Sequence, residues 1–94
     1  METRELLAIA YQRGGFQSWR EMGRHLGISA NSLIRIRRGH GLPGDELCLQ
    51  LAQIAGTDAY TALLQLNSER TEGQARRLYE KVLRERVAAS IAAE

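Results

Sequence analysis

Apolar residues recur along the chain at spacings of three and four positions, and polar or glycine-containing breaks separate these periodic stretches. No stretch alternates apolar and polar residues over the length of a strand. The pattern therefore predicts an all-α protein with six helices. Their predicted ranges are 3–13, 18–26, 30–38, 45–55, 57–68 and 72–92. The helix over 45–55 is apolar on several sides, which predicts a central position.

Residues that favour helix ends support the second and third of these helices. Ser18 and Ser29 stand at the positions of N-caps, and Glu21 has the spacing to complete a capping box with Ser18. Gly27 and Gly39 follow the two helices, as expected where a chain leaves a helix in the left-handed conformation. The sequence thus predicts two short helices joined by a tight bend.

This pair of helices has an apolar and a polar set of positions. Gly23 is small enough for a close crossing of two backbones, and Gly27 tolerates a positive φ at the bend. The predicted inward residues are Met22, Leu26, Ile28, Leu33 and Ile36. The residues left for the outer and flanking surfaces are Ala30, Asn31, Ser32, Ile34, Arg35, Arg37 and Arg38. Short polar side chains and arginines of this kind are suited to base edges and phosphates.

Charge is unevenly distributed, although the net charge is only +2. Residues 13–40 contain six arginines and one acid, which gives a formal charge of +5, whereas the remainder has seven bases and ten acids and is −3. Basic charge concentrated on one third of a small domain favours a polyanionic partner. The alternative is a solvated basic surface without a ligand.

The stretch GRHLGISANSLIRIRRG resembles the helix-turn-helix of the phage repressor and Cro-like family, the lambda-repressor-like domains. The similarity continues through the helix that ends in LAQIAG and the shorter helix after it, and covers about residues 3–68. The resemblance implies a five-helix lambda-repressor-like DNA-binding domain over residues 1–68 and a C-terminal helical extension over 69–94. In that family the helix matching residues 30–38 lies in the major groove.

The resemblance also implies which residues contact DNA. The base-reading positions are Ala30, Asn31, Ser32 and Arg35. The positions near phosphates are Ser18, Trp19, Arg20, Arg37, Arg38 and His40. Two residues depart from the family pattern, since Gly23 stands where alanine is usual and Ala30 where many relatives have a long polar residue. Base reading therefore falls mainly on Asn31, Ser32 and Arg35.

Several side chains have a second, purely structural interpretation. Trp19 is either a partly buried core ring or a phosphate contact through its indole N–H. His40 is either a loop residue or a phosphate contact, and His25 is expected at the surface. The single Cys48 is interpreted as a small buried hydrophobe.

No arrangement of residues indicates catalysis or a cofactor. The serines lack a His/Asp relay, a glycine-rich phosphate loop is absent, and Asp45 and Glu46 are interpreted as acids at a helix start. We expect neither an enzyme nor a metal, cofactor or small-molecule ligand. No apolar run reaches the roughly 20 residues of a membrane span, and no signal-peptide core is present. A cytoplasmic protein without membrane contact is expected.

The predicted last helix has an apolar stripe interrupted by charged residues. At its start, Thr71 and Gln74 have the spacing of another capping box. The helix either folds back on its own domain or contributes to a dimer. The candidate dimerisation residues are Leu78, Tyr79, Val82 and Val87. Because one helix-turn-helix contacts about half a site, a homodimer is favoured.

These inferences predict a sequence-specific DNA-binding transcriptional regulator of phage or prophage repressor or Cro type. It would bind double-stranded DNA at a partly palindromic operator, as a homodimer, with the helix over 30–38 in the major groove. Repression by blocking polymerase is the expected action. The alternative is a protein-interaction module, either an antitoxin or a helical adaptor, whose C-terminal helix docks a partner protein.

Overall fold

A computed structural model of the chain describes residues 1–93, which form six α-helices and no β-strand. The helices are α1 (Thr3–Arg13), α2 (Trp19–Leu26), α3 (Ala30–Arg37), α4 (Asp45–Ala55), α5 (Ala59–Arg70) and α6 (Gly73–Ala93). The predicted all-α class is therefore confirmed. Residue 94, the end of the predicted extension, lies outside the described residues. Within them, no helix combines the length and apolar character that crossing a membrane requires.

Several predicted helix boundaries need correction. The second helix begins at Trp19 rather than residue 18, and the fifth begins at Ala59 rather than residue 57, because Ser18 and Asp58 are their N-caps. The third helix ends at Arg37, and Arg38 is its C-cap. The fifth continues past residue 68 to Arg70, whose guanidinium donates to the carboxylate of Asp45 and the carbonyl oxygen of Pro43, both at 2.7 Å. These bonds hold the last turn of α5 against the loop before α4. The sixth helix begins at residue 73 rather than 72.

The predicted capping box of Thr71 and Gln74 is wrong. The Thr71 hydroxyl donates to the carbonyl oxygens of Asn67 (2.9 Å) and Ser68 (3.3 Å). The Arg76 guanidinium donates to Ser68 as well, with its Nε 2.9 Å from the carbonyl oxygen. The last carbonyl groups of a helix have no partner within it. Both side chains therefore complete the end of α5 instead of the start of α6.

The hydrophobic core is formed mainly by α1, α3 and α4. Helix α4 packs against both α1 and α5, in agreement with its predicted central position, and α3 packs against α1. The buried apolar residues are Leu6, Leu7, Ala10, Met22, Leu33, Ile36, Cys48, Leu51, Ala52, Ala55 and Leu66. Two of them lie on α3 and one on α2. The α2–α3 pair is therefore anchored to the rest of the protein by its own inward side chains.

Candidate nucleic-acid interface

The turn between α2 and α3 depends on two glycines. Gly27 has a φ of +75°, in the left-handed region where a Cβ is unfavourable. The Ile28 N–H, one residue later, donates to the carbonyl oxygen of Gly23 at 2.9 Å. A Cβ on Gly23 would also collide with the carbonyl oxygen of Ile28. The chain after the bend thus returns onto α2 at a distance that only glycine at position 23 allows.

Caps fix the ends of both helices. The Ser18 hydroxyl accepts from the Glu21 N–H at 3.0 Å, and the Glu21 carboxylate accepts from the Gln17 N–H at 2.9 Å. The predicted capping box is thus half right, because the carboxylate reaches back one residue further than Ser18. The Ser29 hydroxyl likewise accepts from the Ser32 N–H at 3.1 Å. The third helix begins at the predicted residue 30, and the second begins one residue after the predicted start, because Ser18 is its N-cap.

The rotation of α3 about its axis is set by two buried side chains, Leu33 and Ile36. Successive residues of an α-helix are turned by about 100°. Asn31 and Arg35, four residues apart, therefore lie on the side opposite to this buried pair. Both side chains are exposed. Arg38, one turn beyond Arg35, is also exposed on this side.

The four predicted base-reading residues are not equivalent. Asn31, Ser32 and Arg35 are exposed, whereas Ala30 is half-buried. The Ser32 hydroxyl lies 2.9 Å from the hydroxyl of Ser29 and shares a hydrogen bond with it. Asn31 and Arg35 make no side-chain hydrogen bond to any of residues 1–93. Two of the four thus present polar groups that the protein itself does not use.

The six residues predicted near phosphates also differ in their surroundings. Five of them are exposed: Ser18, Arg20, Arg37, Arg38 and His40. The Ser18 hydroxyl is already occupied as the cap of α2. Trp19 is half-buried, packs against the core and lies with its ring centroid 4.3 Å from that of Tyr11. Of the two interpretations of Trp19, the partly buried core ring therefore agrees with the structure.

Five exposed arginines on α2, on α3 and at its C-cap have no partner among residues 1–93. They are Arg20, Arg24, Arg35, Arg37 and Arg38. Within the described part of the chain they form neither ion pairs nor hydrogen bonds. By contrast, Arg70 and Arg86 are each bound to an aspartate at 2.7 Å. The basic charge of the α2–α3 surface is therefore available to an external anion.

One member of this group, Arg24, was not among the predicted contact residues. It is exposed and lies four residues after Arg20, so both arginines project from the same side of α2. The spacing of four was visible in the sequence. The resemblance implied phosphate contacts only at the start of this helix and therefore did not include Arg24.

The candidate dimerisation residues do not form one face. Leu78 is 63% exposed and Val87 is 53% exposed. Val87 follows Leu78 by nine positions, which is about two and a half turns, so the two side chains lie on opposite sides of α6. Tyr79 and Val82 are half-buried. A single partner surface can therefore contact only part of the predicted set.

Helix α6 packs along α5, and Arg86 in its second half is bound to residues at the start of α5. The Arg86 guanidinium donates to the Asp58 carboxylate at 2.7 Å and to the Thr61 hydroxyl at 2.8 Å, and it lies 4.6 Å from the centre of the Tyr60 ring. Its hydrogen bond, with those from Thr61, lowers the pKa of Asp58 to about 2. In the sequence, Arg86 only interrupts an apolar stripe. Its partner is 28 residues away, too far for a spacing rule to identify.

An apolar groove of about 1040 Å³ runs between α1, α5 and the second half of α6. Its walls include Met1 and Leu6 on one side and Leu83, Val87 and Ile91 on the other. Ile91 is 67% exposed and Met1 is 61% exposed. The groove lies on the side of α6 that carries Val87, away from Leu78.

The remaining candidate side chains have structural surroundings. Cys48 is buried, its thiol lies 3.5 Å from the carbonyl oxygen of Ala62, and burial raises its pKa. This agrees with its interpretation as a small buried hydrophobe. His25 is exposed, as predicted, beside the ring of Phe16. Residues 1–93 contain no group of three or more His, Cys, Asp or Glu side chains placed to hold a metal ion.

Comparison with known proteins finds no match among protein-family models, curated proteins or solved structures.

Proposed function

We propose that the protein is a sequence-specific DNA-binding transcriptional regulator, in which α2 and α3 form a helix-turn-helix of the phage repressor and Cro-like kind. The observation that best supports this proposal concerns α3. Exposed Asn31 and Arg35 lie on the side of the helix opposite to buried Leu33 and Ile36. A major-groove helix needs a fixed rotation and unoccupied polar groups on its outer side. Both conditions are met in α3.

The arginines divide by position into two roles. Arg35 lies on the outward side of α3, one turn after Asn31, where it would enter the groove and pair with a base. Arg37 and Arg38 stand at the end of the helix, and Arg20 and Arg24 on the neighbouring α2, where they would contact phosphates. Within the described residues, none of these five guanidinium groups has an internal bond to break before it binds DNA. Binding therefore costs no internal ion pair.

The protein would bind its operator as a homodimer, because one helix-turn-helix covers about half a site. We place the contact between copies on the side of α6 that carries Val87 and Ile91. These exposed side chains adjoin the apolar groove formed with Met1 and Leu6. Burial of such side chains against a second copy would stabilise a pair. Two α3 helices would then address two half-sites, and occupation of the operator would block polymerase.

The function is tested by a salt titration of binding to genomic DNA fragments and to random duplexes. Several phosphate contacts predict a steep fall of affinity with increasing salt. A preferred fragment should retain an advantage over random DNA at every salt concentration. A protein that binds no duplex at low salt would refute DNA binding. If it instead co-purified with a protein bound to α6, the antitoxin or adaptor function would replace this one.

Two substitutions separate the proposed roles. Arg35→Ala should lower the affinity for the preferred site by about 1–3 kcal/mol and relax its sequence preference. Arg38→Ala should weaken the binding of all sequences alike. If the Arg35→Ala protein bound its preferred site unchanged, α3 would not be the helix that reads bases.

A further inference from the structure

The outward side of α3 carries two polar groups of different chemistry, the Asn31 amide and the Arg35 guanidinium. Both side chains are exposed, and neither is hydrogen-bonded within residues 1–93. An amide offers one donor and one acceptor side by side, whereas a guanidinium offers only donors. The two groups therefore complement different base edges.

The other residues near the start of α3 are less suited to polar base reading. Ala30 is half-buried and its side chain has no polar atom. The Ser32 hydroxyl shares a hydrogen bond with the Ser29 hydroxyl, which also caps the helix through the Ser32 N–H. A base that pairs with the Ser32 hydroxyl would have to share it with Ser29. Discrimination between bases by hydrogen bonds thus rests on Asn31 and Arg35.

The spacing of these two residues sets the spacing of the bases. Four residues of an α-helix rise about 6 Å, and successive bases of one DNA strand are about 3.4 Å apart. A helix lying along the major groove therefore brings Asn31 and Arg35 to base pairs about two steps apart. In the major groove, asparagine pairs with adenine N6 and N7, and arginine pairs with guanine O6 and N7.

An apolar side chain flanks this polar pair. Ile34 is half-buried, and its place on the helix lies between the outward side and the buried pair. An apolar group at the margin of a reading surface suits the thymine C5-methyl group, the one apolar group that the major groove presents.

On the basis of the proposed function, we propose the content of the half-site. Each half-site carries an adenine contacted by Asn31 and a guanine contacted by Arg35, about two base-pair steps apart, with a thymine methyl group beside Ile34. Hydrogen bonds then select base pairs through Asn31 and Arg35, two of the four positions that the sequence indicates, and Ile34 adds an apolar contact.

The test is selection from a library of duplexes with randomised positions, followed by sequencing of the bound fraction. The wild-type protein is compared with Asn31→Ala, Arg35→Ala, Arg35→Lys and Ser32→Ala. The wild-type protein should enrich adenine and guanine about two steps apart. Arg35→Ala should lose the guanine preference by about 10- to 100-fold while it keeps the adenine preference, and Asn31→Ala should do the reverse.

Two variants serve as matched controls. Arg35→Lys keeps the charge but loses the paired donors, so it should bind random DNA like the wild type and lose the guanine preference. Ser32→Ala should keep both preferences. A wild-type motif without this pair of bases, or an equal loss for all duplexes in Arg35→Ala, would overturn the proposed half-site while leaving DNA binding intact. Failure of the wild type to retain any duplex would overturn both proposals.

Discussion

Gly23 determines how closely the turn approaches α2, because the place of its missing side chain is next to a backbone carbonyl. The sequence indicates a small residue at this crossing. By helix propensity alone, however, glycine here costs about 1 kcal/mol relative to alanine. In the structure, however, glycine is the more favourable residue at position 23, because the Cβ of alanine would collide with the Ile28 carbonyl oxygen. The Ile28 carbonyl belongs to the main chain of the turn and cannot move aside as a flexible side chain would.

We therefore expect Gly23→Ala to lower the free energy of unfolding by about 1–3 kcal/mol, as overpacking does in other cores. Urea unfolding followed by circular dichroism measures the change. Gly41→Ala is the matched control, because a Cβ there meets no atom within 4 Å. A Gly23→Ala protein as stable as the Gly41→Ala protein would contradict the close approach of turn and helix.

Among the helices, the sequence predicted the caps, because a cap depends on residues that are close together in the chain. Ser18 and Ser29 cap helices through residues three positions away, so a spacing rule was enough to identify them. Arg70 and Arg86 escaped prediction because their partners lie 25 or more residues away and are brought near only by packing. For the same reason the sequence did not show that α6 is fastened along α5.

The fastening of α6 gives a pH-dependent prediction. The pKa of Asp58 is about 2 in the folded protein, mainly because of the hydrogen bond from Arg86, and about 4 in an unfolded chain. The folded state thus binds this proton less tightly than the unfolded state does. The stabilisation is present above the unfolded pKa and is lost as the pH falls from about 4 towards 2.

Asp58→Asn should remove this dependence and still cap α5, since asparagine is a good N-cap. The urea midpoints of the two proteins should differ most above pH 4.5 and converge towards pH 2. A difference that stays constant over this range would show that the Asp58 charge does not hold α6 to α5.

The division of α6 into two exposed apolar sides gives a prediction about assembly. If the copies meet on the side of Val87, Val87→Lys should place a charge in the interface, and the dimer should dissociate at micromolar concentrations. Leu78→Lys, an equivalent change on the opposite side, should leave the dimer intact. Sedimentation equilibrium distinguishes the two outcomes. A monomeric wild type would contradict the homodimer, and dissociation by Leu78→Lys alone would place the interface on the other side.

At the scale of the whole molecule, the notable property is where the uncompensated charge lies. Most basic residues elsewhere are bound to carboxylates or carbonyl groups, whereas the arginines of α2 and α3 are left free within the described residues. The sequence predicted this concentration and the exposure of Asn31 and Arg35, because the apolar period fixes which side of α3 is buried. It did not predict that the Ser32 hydroxyl is occupied, since that depends on the geometry of the cap.

Two double variants with the same loss of charge show whether the α2–α3 surface binds DNA. Arg37→Ala/Arg38→Ala changes the proposed surface, and Arg77→Ala/Lys81→Ala changes exposed positions on α6. The measurement is the dependence of the affinity for random duplex DNA on salt concentration. The first variant should lower the slope of log affinity against log salt by about two, and the second should leave it unchanged. Equal changes in both variants would contradict a binding surface on α2 and α3.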